Sequence, residues 1–230
     1  GEGERIARGW LAMLSLALLV AVPLFAWLAW YAQPVVDVLY GHAWRDAAAP
    51  FAALCLAVPF FVMSALTGPL LRGVDAVGAE MRAQLAVLVG LAAALWAAAG
   101  QPLWMLGLIV AVATAVRAAL MAAALARRIG LAAIVPWRAW RGGAVLGGMV
   151  PAGAAVCDRL LPDARLAAAA TALLVLLLSA ALLRAMGAWL LGVELAQALA
   201  NRRGDSRVAA RLCAWAGIDD RAAAGAAPAP

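Results

Sequence analysis

The fold is decided by residues 83–116, AQLAVLVGLAAALWAAAGQPLWMLGLIVAVATAV, a stretch of 34 residues without a charged side chain. A membrane-spanning helix needs about 20 predominantly apolar residues, so this stretch is too long for one span and long enough for two. Gly100-Gln101-Pro102 interrupts it near the middle, where a tight turn is needed. The stretch therefore predicts two spanning helices joined by a hairpin, the second continuing past Arg117 to about Leu125.

Further apolar stretches complete the predicted topology. They cover residues 9–36, 47–71, 140–157 and 166–183. We therefore predict an all-α, polytopic transmembrane helix bundle of about six spanning helices over residues 1–200. Residues 201–230 end in Ala-Ala-Pro-Ala-Pro and are expected to form a partly disordered cytoplasmic tail.

The composition argues against an ordinary soluble domain. Hydrophobic residues make up 67% of the 230 residues and charged residues 13%, whereas globular domains are about half apolar and about a quarter charged. The chain lacks the polar residues needed to cover its surface in water, so lipid must surround it. The net charge is +6, but the basic residues lie in short loops without an aromatic-interleaved basic face, which argues against nucleic acid as a partner.

The distribution of Arg orients the bundle. All 18 basic residues are Arg, and cytoplasmic loops of membrane proteins carry the excess of such residues. With the N-terminus inside, 14 of them fall on the cytoplasmic side, whereas Arg45, Arg159 and Arg165 fall outside and Arg117 lies within a helix. The asymmetry predicts a multi-pass protein of the bacterial inner membrane with both termini in the cytoplasm.

No catalytic, metal or cofactor site is predicted. The three Cys residues are scattered and the chain has one His residue, so neither a disulfide framework nor a zinc site is expected. The acidic residues lie almost entirely in loops and tails and do not pair, and His42 is expected to be a solvated loop residue. Asp37 and Asp46 flank the first outside loop and could ligate a coupling ion, although carboxylates at loop edges usually contact water.

Arg117 is the most informative charge, because a basic side chain near the middle of a spanning helix costs a few kcal/mol. It shares one helical stripe with Gly107, Val110, Thr114 and Met121, which would place the guanidinium beside a small, partly polar surface. An inward-facing cation suits an anionic ligand. The alternative is that Arg117 extends toward the cytoplasmic end or binds a carbonyl of a neighbouring helix.

Other residues predict helix geometry and lipid contact. Pro23 and Pro59 lie inside apolar stretches, where they would kink the helices, either as hinges or as static bends. Gly143-x-x-x-Gly147 has the spacing that lets two helices approach closely, for packing within the chain or between two chains. Arg72 ends the second stretch, where it could contact lipid phosphates or help to gate a cavity.

The segment from Pro23 to Gly78 carries a family resemblance. It contains QPVVDVLYGHAWRDAA at residues 33–48 and LLRGVDAVG at residues 70–78. The segment resembles the Wzx-like polysaccharide flippases of the multidrug/oligosaccharidyl-lipid/polysaccharide exporter superfamily, whose second half often has an outside loop of the form L-(Y/F)-G-x-x-W-x-x-A. The residues that match that loop are Leu39, Tyr40, Gly41, Trp44 and Ala47.

The resemblance implies that the chain is the C-terminal lobe of a two-lobe transporter, with the N-terminal lobe or a companion subunit supplying the other half. It implies that the two lobes move an undecaprenyl-pyrophosphate-linked oligosaccharide across the inner membrane by alternating access, for surface polysaccharide or O-antigen export. Arg117, and after it Arg72, would neutralise the pyrophosphate. The alternatives are another exporter of the superfamily, a membrane polymerase or ligase of envelope glycans, and a non-transporting scaffold.

Overall fold

The computed structural model describes residues 2–132 and 135–191, and every regular element in these ranges is a helix, which confirms the predicted all-α fold. The elements are α1 (Glu2–Trp30), α2 (Ala32–Leu39), a 3-10 helix (His42–Ala47), α3 (Ala48–Gly73), α4 (Val77–Ala97), α5 (Leu103–Arg128), α6 (Val135–Arg138), α7 (Trp140–Leu160) and α8 (Ala164–Leu191). The predicted tail at 201–230 and the end of the predicted lobe lie outside the described residues.

Within residues 2–132 and 135–191, four segments are long and apolar enough to cross a membrane. They are Gly3–Trp30, His42–Gly73, Val77–Ala97 and Leu103–Arg128. In addition, α8 contains a shorter apolar segment, Leu166–Leu182. The chain is therefore a polytopic helical bundle, and the six long helices of its described part, α1, α3, α4, α5, α7 and α8, overlap the six stretches that the sequence predicts. That α7 and α8 also cross the membrane stays a prediction.

The hairpin between α4 and α5 is the tight turn that the sequence predicts. The N–H groups of Ala99 and Gln101 donate to the carbonyl oxygens of Trp96 and Ala98 at 3.1 and 3.0 Å. Gly100 has a φ of +86°, in the left-handed region that glycine adopts without a steric penalty. This turn stops the first helix and starts the second within the long uncharged stretch.

The apolar stretch of residues 9–36 forms most of α1 and the start of a second helix, α2. The structure ends α1 at Trp30, and Tyr31 breaks the helix with φ −96° and ψ 30° before α2 begins. Pro34 explains the break, because its nitrogen has no hydrogen to donate to the carbonyl of Trp30 and its ring crowds that carbonyl. The break at Tyr31 lies eight residues after Pro23, which remains inside α1.

The long helices pack as a row in the order α4, α5, α3, α1, α7, α8, each mainly against its neighbours. The largest core cluster joins α1, α3 and α5 and includes the fully buried side chains of Leu14, Leu18, Met63, Leu71 and Leu125. At the two ends of the row, α4 packs mainly on α5 and α8 mainly on α7. The middle of the row therefore supplies most of the buried apolar surface.

The two ends of the bundle differ in charge. One end, called the Arg-rich end below, carries nine Arg and three acidic residues among the side chains that the structure describes, for a net charge of +6: Arg5, Arg8, Arg72, Arg82, Arg127, Arg128, Arg138, Arg141, Arg184, Glu4, Asp75 and Glu80. The opposite end carries two Arg and four acidic residues among the described side chains, for a net charge of −2: Arg45, Arg159, Asp37, Asp46, Asp158 and Asp163. The fold therefore gathers the charges of distant segments into two unlike surfaces.

The sides of the bundle are apolar and exposed. Only 6% of the most apolar part of α4 is buried, and Leu85, Leu88 and Trp96 expose 62%, 60% and 85% of their surface. Monomeric soluble proteins rarely expose contiguous apolar patches of this kind. The exposed sides fit a helix bundle that is surrounded by lipid.

Candidate functional site

The pair of helices α3 and α5 positions the candidate site. They run side by side in the same direction, because Gly107 of α5 lies against Pro50 and Ala53 near the start of α3, whereas Met121 lies against Gly68 near its end. A Cβ added at Gly107 would come within 3.1 Å of the Cβ of Ala53 and of the carbonyl oxygen of Pro50. Small residues therefore fix both the close approach and the register of the two helices.

This register brings Arg117 of α5 over Phe61 of α3. The guanidinium carbon lies 5.7 Å from the centre of the phenyl ring, within the range of a cation–π interaction. The side chain is partly buried, and its Nε is buried without a hydrogen-bond partner among the described residues. An anion that enters from outside the protein would meet the terminal nitrogens of this guanidinium, because its Nε is buried.

The predicted stripe on α5 is only partly a polar surface. Gly107 and Met121 are buried against α3, and the hydroxyl of Thr114 donates to the carbonyl oxygen of Val110 at 2.8 Å. That hydroxyl is therefore engaged with its own helix, and the recorded contact of Arg117 is with the aromatic ring of Phe61 instead.

Arg72 does not lie beside Arg117. It is in the last turn of α3, with its side chain 59% exposed and its Nε 3.9 Å from the Oε2 of Glu80 in α4. Phe61 and Arg72 are eleven residues apart on one helix, which corresponds to roughly 16 Å along its axis. The structure therefore does not bring Arg72 and Arg117 together, and Arg72 belongs to the Arg-rich end.

The glycine pair of α7 packs within the chain. A Cβ added at Gly143 would lie 2.5 Å from the carbonyl oxygen of Leu18, and one at Gly147 would lie 2.7 Å from a methyl group of Val22. Both contacts are with α1, directly before Pro23. Of the two interpretations of this motif, packing between helices of one chain is the one that the structure uses.

The predicted prolines lie inside continuous helices. Pro23 is partly buried in α1, and Pro59 is buried in α3, which also contains Pro69. Beside Pro23 a groove of about 450 Å³ opens between α1 and α8, with Trp27 and Val175 among its walls. The groove shows that α1 and α8 stand apart beside this proline.

The loop of the family motif lies at the end opposite the Arg-rich end. Leu39, Tyr40 and Trp44 are exposed, and the rings of Tyr40 and Trp44 are 6.3 Å apart. Gly41 has a φ of +82° where the chain turns from α2 into the 3-10 helix, which explains a glycine at this position of the motif. Exposed Tyr and Trp at this level are typical of a membrane–water interface.

The same loop contains a small charge cluster. Asp37 accepts hydrogen bonds from the Nε and a terminal nitrogen of Arg45 at 3.1 and 3.2 Å. The Nδ1 of His42 lies 3.3 Å from the same carboxylate, although its side chain is 73% exposed. The hydrogen bond from Arg45 holds the pKa of the Asp37 carboxyl below its usual value. The cluster thus ties the loop to the end of α2.

One polar network is not predicted by any pattern in the sequence. The hydroxyl of Tyr31 donates to the Oδ1 of Asp158 at 3.0 Å and lies 2.7 Å from the hydroxyl of the buried Thr171. The indole nitrogens of Trp30 and Trp27 donate to the Oδ2 of Asp158 and to the carbonyl oxygen of Ala168, at 3.2 and 3.1 Å. The network joins the end of α1 to α7 and α8. The residues that it joins are more than 120 positions apart in the sequence, so no local sequence pattern predicts it.

The described part of the chain contains no cluster of side chains that could bind a metal ion. Within residues 2–132 and 135–191, no group of three or more His, Cys, Asp or Glu side chains comes together. The two Cys residues described, Cys55 and Cys157, are buried and free. Arg117 is thus the side chain with the clearest capacity to bind a ligand within the spanning region.

A scan against models of known protein families finds no match, and searches of curated proteins and of solved structures find no similar protein. The resemblance of residues 23–78 to the polysaccharide flippases therefore stays a prediction.

Proposed function

We propose that the chain is a lobe of a transporter of the bacterial inner membrane that moves an undecaprenyl-pyrophosphate-linked oligosaccharide across the bilayer. The observation that carries the proposal is Arg117, a cation within a spanning helix whose buried Nε is unpartnered among the described residues. Charged residues at this depth are costly and usually serve a ligand or a transport path.

The chemistry of a pyrophosphate fits this side chain. A planar guanidinium offers several N–H donors in a fixed fork and binds phosphate oxygens with two parallel hydrogen bonds. Phe61 supports one face of the guanidinium at 5.7 Å and offers no hydrogen-bond acceptor that would compete for the free donors. The long apolar tail of such a substrate would remain in the lipid beside the exposed helices.

A transport cycle also requires a second lobe or a companion subunit. In alternating access one bundle rocks against another around a site near the middle of the membrane. The row of helices leaves broad apolar faces on which a partner lobe could move. The resemblance of the loop at Leu39, Tyr40, Gly41 and Trp44 to the flippases supports the same proposal.

Arg117→Ala is expected to reduce glycan export at least tenfold, because the pyrophosphate would lose its cation in the low-dielectric part of the path. The measurement is the amount of surface glycan when the chain, or its variant, is returned to a strain that lacks it but retains the second lobe or companion subunit. Removal of a charge from a spanning helix makes insertion easier by roughly 2–3 kcal/mol. A loss of export would therefore not be explained by failure to enter the membrane.

The matched control is Arg128→Ala, which removes the same side chain from the exposed end of α5 and should leave export within about twofold, because charges at helix ends contact water and headgroups. Arg117→Lys keeps the charge but not the fork of N–H donors, so its glycan export should lie between the levels of the two Ala variants. Unchanged surface glycan with Arg117→Ala would remove Arg117 from the substrate path and leave the proposed function without its main support.

The proposed orientation places the Arg-rich end in the cytoplasm. Single Cys residues at Gln101, in the hairpin between α4 and α5, and at Ala132, after α5, test this in a variant without the native cysteines. A membrane-impermeant maleimide should label Gln101→Cys in intact cells, and it should label Ala132→Cys only after the inner membrane is permeabilised. The reverse labelling pattern would mean that the Arg-rich end faces away from the cytoplasm.

A further inference from the structure

A small pocket lies at the end opposite the Arg-rich end, away from Arg117. It has a volume of about 250 Å³ and lies where the end of α1 meets the start of α2, the end of α7 and the start of α8. Its walls include Trp30, Tyr31, Pro34, Asp158 and Pro162. The pocket thus combines two aromatic side chains with one carboxylate.

The carboxylate of Asp158 is held in position by uncharged groups. Trp30 donates its indole N–H to one oxygen at 3.2 Å, and Tyr31 donates its hydroxyl to the other at 3.0 Å. The hydroxyl of Thr171 lies 2.7 Å from that of Tyr31 and is buried, so Thr171 anchors Tyr31 from behind. These neutral donors orient the carboxylate without neutralising it, and each of its oxygens keeps a second lone pair for another donor.

A carboxylate beside aromatic rings favours an organic cation. An ammonium group supplies several N–H donors to a carboxylate and is also attracted to the faces of Trp and Tyr rings, whereas the carboxylate repels an anion. The indole of Trp30 is 47% exposed and is therefore accessible. The chemistry of the pocket points to an alkylammonium ligand.

Apolar grooves lie beside this pocket along the spanning helices. Pro34 borders both the pocket and a groove of about 440 Å³, and Trp27 borders that groove and the one of about 450 Å³ beside Pro23. Trp27, the residue shared by the two grooves, donates to the carbonyl oxygen of Ala168 in α8, so the grooves are neighbours on either side of this side chain and not one open path. Apolar grooves beside the pocket suit an acyl chain, so they favour an ammonium group attached to a lipid.

We infer that this pocket binds the ammonium headgroup of an aminophospholipid of the phosphatidylethanolamine class, with an acyl chain lying in an apolar groove between α1 and α8. The site is separate from Arg117 and opposite to it in charge. It would hold a lipid of the leaflet at the aromatic end, against the helix pair that stands apart beside Pro23.

Lipid retention by the purified chain, followed by native mass spectrometry, tests the inference. Phosphatidylethanolamine should be retained about tenfold more than phosphatidylglycerol with the same acyl chains. Asp158→Asn should abolish this preference while leaving phosphatidylglycerol unchanged, because the amide is nearly isosteric but uncharged. Trp30→Phe, which keeps the carboxylate, should weaken the preference several-fold. Equal retention of the two lipids by the unaltered chain would overturn the site.

Two controls distinguish a specific role of Asp158 from an effect of general surface charge and from the proposed transport function. Asp46→Asn removes one negative charge from the same end and should keep the preference, and its loss would mean that general surface charge is responsible. Arg117→Ala should also keep it, so this site can fail or stand independently of the proposed transport function. Displacement of the lipid by free ethanolamine at equal concentration would overturn the assignment to a lipid.

Discussion

Gly143→Ala is expected to destabilise the bundle by about 2 kcal/mol or more, because the added methyl group meets backbone that cannot move aside. The new Cβ would lie 2.5 Å from the carbonyl oxygen of Leu18 and 3.0 Å from its carbonyl carbon. To relieve this contact, α7 would have to separate from α1 along one of the most extensive helix contacts in the bundle. The measurement is the midpoint of unfolding of the purified chain in mixed micelles.

The same helix provides a graded control. Gly147→Ala meets a methyl group of Val22 at 2.7 Å, a side chain that can partly give way, and should cost less. Gly148→Ala meets nothing within 4 Å, so it should be neutral or stabilise by up to about 1 kcal/mol through helix propensity. If Gly143→Ala changed the oligomeric state without changing the stability, the glycine pair would be a dimer contact and not an intramolecular one.

Sequence predicted the helices well because their signals are local. The uncharged run of residues 83–116 and the Gly-Gln-Pro interruption are both contained in the segment that folds into the hairpin, and the turn at Gly100 follows directly. The break at Tyr31 is also a local effect of Pro34, but the continuous apolar pattern over residues 9–36 hid it. Hydropathy marks where a helix can lie in lipid and is insensitive to where its hydrogen bonds stop.

The candidate site was predictable in position but not in surroundings. Arg117 stands out in the sequence because it is the charge within a spanning stretch. Its contact with Phe61 depends on the register of α5 against α3, which Gly107 and Ala53 set by their small size. The network around Asp158 could not be predicted from the sequence for the same reason, because Tyr31 and Thr171 meet only after α1, α7 and α8 have packed.

The second large effect is expected for Leu88→Arg in α4. Leu88 lies near the middle of this helix, eleven residues from its first residue, and exposes 60% of its surface. On the surface of a soluble protein such a substitution usually changes stability by less than about 0.5 kcal/mol. At the centre of a spanning helix the same Arg costs about 2.5–3.5 kcal/mol on insertion scales. The fraction of chain that resists alkaline extraction from membranes should therefore fall several-fold.

The control for this substitution is Gln84→Arg, one helical turn closer to Arg82 at the Arg-rich end. Gln84 is exposed as well, but an Arg at this level can extend to the lipid headgroups, so insertion should be nearly unchanged. Equal tolerance of Arg at both positions would mean that the exposed face of α4 lines a water-filled path. In that case α4 would belong to the transport cavity itself, and the second lobe would have to pack on the α4 end of the row.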